Sequence, residues 1–229
     1  MKKFLCFIAF LVLLPAFSYP KNKRVVQCRR QTVPFVVDGK TGDWNMGSLS
    51  FDRKTGFAYA FTNDGKFLYI QLKMLDMAVQ RKALLTGLTV WIDPGGKGKH
   101  VFGIVYPHGR KHGPSPGGSG HPGQRTVFRQ HRNNGNHRLT PEQVQMFNRF
   151  FAHENPQFKG FEKHGLSGGP DIRARLQIDT LGHVVYEAEI PLKAVFKTPA
   201  GYLTKAKPFS ITIETGYLQM DMSRMQGGG

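Results

Sequence analysis

Apolar and polar side chains alternate along most of this chain, with the period of two that is typical of β-strands. From Phe57 to Thr62 aromatic residues alternate with alanine and threonine, and the segment FLYIQLKML follows the turn sequence N-D-G-K at Asn63–Lys66. This pattern predicts a β-hairpin with aromatic cross-strand partners. The same alternation returns at Ile172–Ile178 and Val184–Ile190, so these strands are also expected to have one side facing a core.

A glycine- and lysine-rich segment, PGGKGK at Pro94–Lys99, lies between the strand-like sequences TVWID and HVFGIVY. A phosphate-binding loop leads into a helix whose N–H groups hold the anion, and no helical pattern follows here. The segment is therefore predicted to be a hairpin turn. Upstream, VPFVVDGKTGDW is an apolar run broken by a D-G turn sequence, which predicts strand pairing there.

Two short helices interrupt the strands. Asp76 is placed to cap a helix over Met77–Thr86, with Gly87 at its end. Thr140, Pro141 and Gln143 form a capping-box pattern for a second helix over residues 141–151. Many short strands with few helices predict an all-β fold, an antiparallel β-sandwich of the jelly-roll-like kind.

The domain is predicted to span residues 33–219, with residues 107–170 forming an insertion between two of its strands. Glycine, proline, histidine and arginine dominate the first part of this insertion, and no acidic residue occurs between Asp93 and Glu142. Such a segment buries too little apolar surface to offset its ordering entropy, so a long basic disordered loop is expected before the second helix. Residues 220–229 are expected to be a disordered tail.

The N-terminus has the features of a secretory signal peptide. Lys2 and Lys3 precede an apolar run that is too short to span a bilayer, and Ala16 and Ser18 are placed for cleavage near Ser18. Residues 1–18 are therefore predicted to be removed, which leaves a basic leader at 19–32 and a secreted or periplasmic protein without a transmembrane segment. The mature chain then keeps one cysteine, which excludes an internal disulfide.

The ordered segments VVDGKTGDW, FTNDGKFLYIQL, GLTVWID, FGIVYP, VVYEAEIPL and ITIETG resemble secreted bacterial proteins related to family 9 carbohydrate-binding modules, in the DOMON-like sandwich group. The resemblance covers residues 34–216 apart from the insertion. It implies a jelly-roll-like β-sandwich that binds sugar in some members and haem in others. It also implies aromatic side chains that flank the glycan, and metal ions that support loops. The long basic insertion departs from the family pattern.

Trp44, Trp91 and Asp43 are the candidate carbohydrate-binding residues, because the C–H faces of sugars pack on aromatic planes. Each has a structural alternative. Trp44 follows Asp43 at the entry to the domain and would plug the end of the core. Trp91 lies between Val90 and Ile92 and would pack inside the core.

Metal and cofactor candidates are sparse. Asp38, Asp43 and Asp93 could supply oxygen ligands to a calcium-supported loop, although turn formation is the commoner role of such aspartates. His108 and His112 have a metal-ligand spacing, but the glycine and proline around them argue against a helix. No cofactor is expected; calcium is the candidate ion for the aspartates, and zinc or copper for a loosely binding histidine-rich loop. Haem binding is a third hypothesis. Met74, Met77 and His183 are residue types that can ligate haem iron, but the sequence contains no haem-attachment motif.

Catalytic motifs are not found. GPSPG at Gly113–Gly117 has the letters of a nucleophile elbow without its strand-turn-helix setting. Glu187 and Glu189 lie on the same side of a strand. Two carboxylates on one exposed strand face are a simpler explanation than a catalytic glycosidase pair, which would be set across a cleft. The protein is therefore predicted not to be an enzyme.

The formal net charge of +17 and the isoelectric point near 10.1 indicate an acidic partner. Six cationic residues of the insertion are the candidates for binding polyanions: Arg110, Lys111, Arg125, Arg129, Arg132 and Arg138. The family resemblance implies a non-catalytic extracytoplasmic module that binds carbohydrate. The alternative is a surface-associated interaction protein that binds an acidic cell-surface polymer, without specific nucleic-acid recognition.

Overall fold

A computed structural model describes residues 24–32, 35–44, 49–109, 140–164, 171–205 and 207–217. Within these ranges the chain forms ten β-strands in two sheets, together with short helices. The predicted signal peptide, the cationic part of the insertion at 110–139 and the tail lie outside the described residues. The limits of the domain stay a prediction.

The first sheet is mostly antiparallel. Its strands in spatial order are β1 (Arg29–Arg30), β3 (Phe57–Asn63), β4 (Phe67–Met74), β9 (Val184–Pro191) and β8 (Arg173–Ile178), with β2 (Ser50–Asp52) also paired to β3. Only β1 runs parallel to its neighbour among these pairs. The predicted hairpin of β3 and β4 is confirmed, with Phe61 opposite Ile70 and Tyr59 opposite Leu72.

The second sheet is antiparallel throughout. Its order is β10 (Ser210–Thr215), β5 (Gly87–Asp93), β6 (Phe102–His108) and β7 (Gln157–Lys159). The PGGKGK segment joins β5 to β6, so the predicted hairpin turn is confirmed.

One hydrophobic core lies between the two sheets. Leu68, Ile70 and Leu72 of β4 alternate inward, and so do Val90 and Ile92 of β5, all at 0% exposure. Because alternate residues point to opposite faces, each strand turns one row of side chains towards this core and the other towards the outer face, and in β9 both rows are buried. The predicted antiparallel β-sandwich is confirmed.

Both predicted helices are present. Helix α1 (Met77–Thr86) begins where the Asp76 carboxylate accepts hydrogen bonds from the N–H groups of Ala78 and Val79, and it ends at Gly87, whose φ is +86°. Helix α2 (Pro141–Ala152) has the predicted capping box between Thr140 and Gln143.

Helix α2 also covers the edge of the first sheet. The side-chain amide of Asn148 accepts from the N–H of Ile178 at 2.7 Å and donates to its carbonyl at 3.2 Å. It thereby pairs with β8 as a neighbouring strand would, which satisfies backbone groups that an edge strand otherwise exposes.

Three short helical segments were not predicted from the pattern. They are a 3₁₀ turn at Glu162–His164, α3 (Leu192–Val195) and α4 (Pro199–Thr204). The strand predicted upstream of Trp44 was wrong: the described residues 35–44 form bends and turns. No helix among the described residues is long and apolar enough to cross a membrane.

Two buried tyrosines in the core offer a matched test of the packing. The hydroxyl of Tyr106 donates to the carbonyl of Phe151 at 2.9 Å, whereas that of Tyr186 has no hydrogen-bond partner among the described residues. An unpaired buried hydroxyl has lost its hydration without compensation. We therefore expect Tyr186→Phe to leave the free energy of unfolding unchanged or raise it by about 1 kcal/mol, and Tyr106→Phe to lower it by about 1 kcal/mol.

Denaturant unfolding of the two variants under one condition measures both values. A loss of stability in Tyr186→Phe as large as that in Tyr106→Phe would show that the Tyr186 hydroxyl has a partner after all.

Candidate functional site

Each outer face of the sandwich carries one of the two tryptophans. Trp44 belongs to the loop at residues 35–44, which packs over the first sheet. Trp91 lies on β5 in the second sheet. The two indoles differ in how deeply they are buried and in how much of each ring is accessible to solvent.

The loop at 35–44 is held by a buried carboxylate on β9. Glu187 is 2% exposed, and its two oxygens accept hydrogen bonds from the N–H of Gly39 at 2.8 Å, the N–H of Asp38 at 3.2 Å and the indole N–H of Trp44 at 2.7 Å. The side-chain amide of Gln71 adds a longer contact at 3.4 Å. One carboxylate thus satisfies the turn and the indole together.

Trp44 and Asp43 are both engaged inside this loop. The Trp44 ring stacks on Phe35 with centroids 4.2 Å apart and is 7% exposed. The Asp43 carboxylate accepts from the N–H of Val36 at 2.9 Å. The structure therefore places these two candidate ligand-binding residues in a packed position, which agrees with the structural alternative for Trp44.

Glu187 and Glu189 were expected on an exposed strand face, and this expectation was wrong. Both are buried, because the loop at 35–44 covers Glu187 and the guanidinium of Arg173 covers Glu189 with an ion pair at 2.5 Å. The two carboxylates thus have separate hydrogen-bond partners.

Burial raises the pKa of Glu187 to about 7. Hydrogen bonds from Gly39 and Trp44 oppose this shift, and the nearby carboxylates of Asp43 and Asp38 add to it. The carboxylate that anchors the loop therefore titrates near neutral pH.

Trp91 lies flat on the outer face of the second sheet. It alternates with the buried Val90 and Ile92, and Gly103 is its partner on β6. A Cβ atom at position 103 would lie 2.6, 2.8 and 3.0 Å from three adjacent carbons of the indole. Such nearly equal distances are expected when the face of the ring, rather than its edge, lies over the glycine. The core position considered for Trp91 is thus not observed.

The opposite face of this indole is covered by an imidazole. The His100 ring stacks on Trp91 with centroids 4.6 Å apart and an interplanar angle of 7°. The Glu214 carboxylate joins the two rings, because one oxygen accepts from the indole N–H at 2.9 Å and the other lies 3.0 Å from Nε2 of His100. We refer to Trp91, His100, Gly103 and Glu214 as the Trp91 platform.

The loop that carries His100 is held by Asp93. Its carboxylate accepts from the backbone N–H groups of Gly95, Lys97 and Lys99 at 2.8 to 3.0 Å. Burial of Asp93 raises its pKa, but these hydrogen bonds lower it by more, so the pKa lies below the ordinary value. The N–H groups of this loop thus donate to a carboxylate of the protein itself. This arrangement agrees with the prediction that the loop is a hairpin turn.

The other predicted metal candidates have protein partners as well. Asp38 accepts from the backbone and side-chain nitrogens of Lys40, and Nδ1 of His108 lies 3.2 Å from Glu154. His112 lies outside the described residues. Within the described ranges no three histidine, cysteine or acidic side chains form a group that could hold a metal ion. Calcium stays a prediction, as do the six cationic residues of the insertion, which also fall outside the description.

His100 and Glu214 were not identified from the sequence. They come from a loop and from the last strand, more than 100 residues apart, and only the register of β10 against β5 brings Glu214 beside Trp91. The sequence did contain a signal for the outward position of Trp91. Side chains alternate in direction along β5, so Trp91 points to the opposite face from Val90 and Ile92.

The Glu187 anchor predicts a pH dependence of stability. Its pKa is higher in the folded chain than in the unfolded chain, where about 4.3 is usual, so folding favours the protonated acid. This contribution is complete below about pH 4 and is lost as the pH rises through 7. We expect wild-type stability to fall by roughly 2 kcal/mol more than that of Glu187→Gln between about pH 5 and pH 8.

Chemical unfolding across this pH range measures the difference, with Glu162→Gln as a control that removes an exposed carboxylate. Parallel pH profiles for wild type and Glu187→Gln would contradict the raised pKa.

No family model, curated protein or solved structure matches this chain with significant similarity. The resemblance to family 9 carbohydrate-binding modules therefore stays a prediction from the sequence segments given above.

Proposed function

We propose that this protein is a non-catalytic extracytoplasmic module that binds carbohydrate on the Trp91 platform. The observation that supports this proposal is the position of the indole. It lies flat on the outside of a sheet, over a glycine, and the groups described over the ring belong to two exposed side chains, the imidazole of His100 and the ammonium group of Lys159. A flat indole on a β-sheet offers the surface on which the apolar face of a pyranose packs.

The polar groups around the indole suit a sugar. Glu214 lies at the indole N–H and has its side chain 44% exposed, so its oxygens can also accept hydrogen bonds from hydroxyl groups. Thr212, opposite Trp91 on β10, and Thr89 on β5 lie on the same face. Binding sites of this kind combine an apolar contact with a few polar groups that fix orientation.

A sugar stacked on Trp91 has to replace His100. The His100 side chain is 47% exposed and belongs to a loop, so its displacement requires no change in the core. Glu214 would then exchange its contact with the imidazole for contacts with sugar hydroxyls. His100 thus acts as a cover that competes with the ligand.

Binding of an acidic cell-surface polymer through the insertion is the second candidate function, and the net charge of +17 favours it. Salt distinguishes the two candidates. Counterion release makes polyanion binding strongly salt-dependent, whereas stacking of a neutral sugar is not.

The first prediction for the platform concerns Trp91 itself. In a glycan array and in titrations with the oligosaccharides that bind, Trp91→Ala is expected to lower affinity at least tenfold, because the stacking surface is lost. Trp91→Phe keeps an aromatic ring and should retain part of the affinity. Neutral-sugar binding that is unchanged in Trp91→Ala would reject the platform, and so would salt-sensitive binding of acidic polymers that is unchanged in Trp91→Ala.

The second prediction concerns the cover. Removing the imidazole in His100→Ala is expected to raise affinity for the same oligosaccharide about two- to tenfold, since the ligand no longer has to break a ring stack worth about 0.5–1.5 kcal/mol. His153→Ala, which removes an exposed histidine at the end of α2, serves as the matched control. Weaker binding in His100→Ala would show that His100 contacts the ligand instead of competing with it.

A further inference from the structure

The Trp91 platform has a positive and a negative end. The order of strands across the sheet is β10, β5, β6 and β7, and one row of partners crosses it from Thr212 through Trp91 and Gly103 to Lys159. The indole N–H points to Glu214 on β10, whereas the six-membered ring lies over Gly103 on β6. The platform therefore runs from a carboxylate on one side towards an ammonium group on the other.

Lys159 supplies that ammonium group, which lies over the Trp91 ring in a cation–π contact. Its Nζ atom lies 5.7 Å from the centroid of the Trp91 ring, and its side chain is exposed. Within the ranges described, Lys159 forms no ion pair with a carboxylate, and the same is true of Lys97 and Lys99 on the loop that carries His100. These cations are available to an external anion.

The carboxylates on this side of the sheet are already engaged. Glu214 accepts from the indole N–H and contacts His100, and both oxygens of Asp93 accept from backbone N–H groups of the loop. These carboxylates therefore already have protein partners, whereas the three lysines form no ion pair with a carboxylate of the described residues. An anionic ligand is favoured by this asymmetry and a cationic one is not.

A pyranose stacked on the indole carries its C5 substituent at the periphery of its ring. Lys159 reaches over the indole from β7, whereas Glu214 lies on β10, on the other side of β5. A stacked sugar would push the flexible lysine side chain back towards β7, where its ammonium group stays next to the sugar. A carboxylate at C5 could therefore reach the ammonium group while ring hydroxyls remain at the Glu214 end, where they can donate to its oxygens. An uncharged hydroxymethyl group in the same place would gain no charge-assisted contact.

We infer that the platform selects acidic sugars of the hexuronate class, with the sugar stacked on Trp91 and its carboxylate paired with Lys159. This inference rests on the proposed carbohydrate function and names its ligand class. According to this inference, the row of residues from Thr212 to Lys159 in the second sheet determines whether the protein binds neutral or acidic glycans.

The test compares short oligosaccharides that differ only in charge. Trisaccharides of galacturonate, glucuronate and mannuronate are each paired with their methyl esters and titrated calorimetrically into the mature protein at about 0.15 M salt. Short ligands limit simultaneous contact with the other cations of this basic chain. For wild type we expect at least one pair in which the acid binds about fivefold tighter than its ester.

Two lysine variants locate the preference. Lys159→Gln is expected to reduce the ratio of acid to ester affinity to about one, and Lys159→Arg to preserve it because the positive charge remains. Lys193→Gln removes an equal charge from an exposed residue of α3, after β9 in the first sheet, and should leave the ratio as in wild type.

The outcomes separate this inference from the proposed function. An unchanged ratio in Lys159→Gln, an equal fall in Lys193→Gln, or no preference for any acid in wild type overturns the inference. The proposed function survives these results if Trp91→Ala still weakens binding of the ester. Failure of every acid and every ester to bind wild type overturns both.

Discussion

Burial of one side of each sheet against the other is the constraint on which the rest of this structure depends. Leu68, Ile70, Leu72, Val90 and Ile92 are fully buried between the sheets, and strand geometry then places every second residue outside. The packing of the core therefore determines which residues lie on the outer faces of the two sheets. On the first sheet the outer face carries the buried Glu187 and Glu189 together with Ala60 and Tyr69, and it is covered by the loop at 35–44 and by Arg173. On the second sheet it includes Trp91.

The two tryptophans show how one local arrangement can have two roles. Each indole N–H donates to a carboxylate, from Trp44 to Glu187 at 2.7 Å and from Trp91 to Glu214 at 2.9 Å. The Glu187 carboxylate is buried with the loop it holds, whereas the Glu214 side chain is 44% exposed. Trp44 thus stabilises the architecture, while Trp91 is oriented at the surface, where the exposed side chains of His100 and Lys159 contact its ring.

Features that depend on residues close together in the sequence were predicted correctly, whereas features that depend on residues far apart in the sequence were not. The β3–β4 hairpin and the capped helices α1 and α2 follow from residues within a few positions of each other, and they were predicted correctly. Glu187 acts on a loop almost 150 residues away, so its burial could not be read from the pattern around it. The loop itself was mistaken for a strand, because its apolar residues pack on the outside of the sheet rather than pairing with a neighbour.

Trp91 falls between these cases. Its apolar neighbours suggested a core position, yet the same neighbours fix its direction, because Val90 and Ile92 point inward and Trp91 must point outward. Gly103, Lys159 and Glu214 come from three other strands, and only the register of the sheet brings them beside it. Local sequence therefore predicts the orientation of the indole but not its partners.

The central claim is that ligand meets Trp91 and leaves Trp44 undisturbed. The chain contains only these two tryptophans, so the protein gives two indole N–H signals in a nitrogen–proton correlation spectrum, which Trp91→Phe assigns. Titration with an oligosaccharide that binds should shift the Trp91 signal, as the sugar replaces His100, and leave the Trp44 signal in place. A shift confined to Trp44, or saturated binding that moves neither signal, would contradict the account.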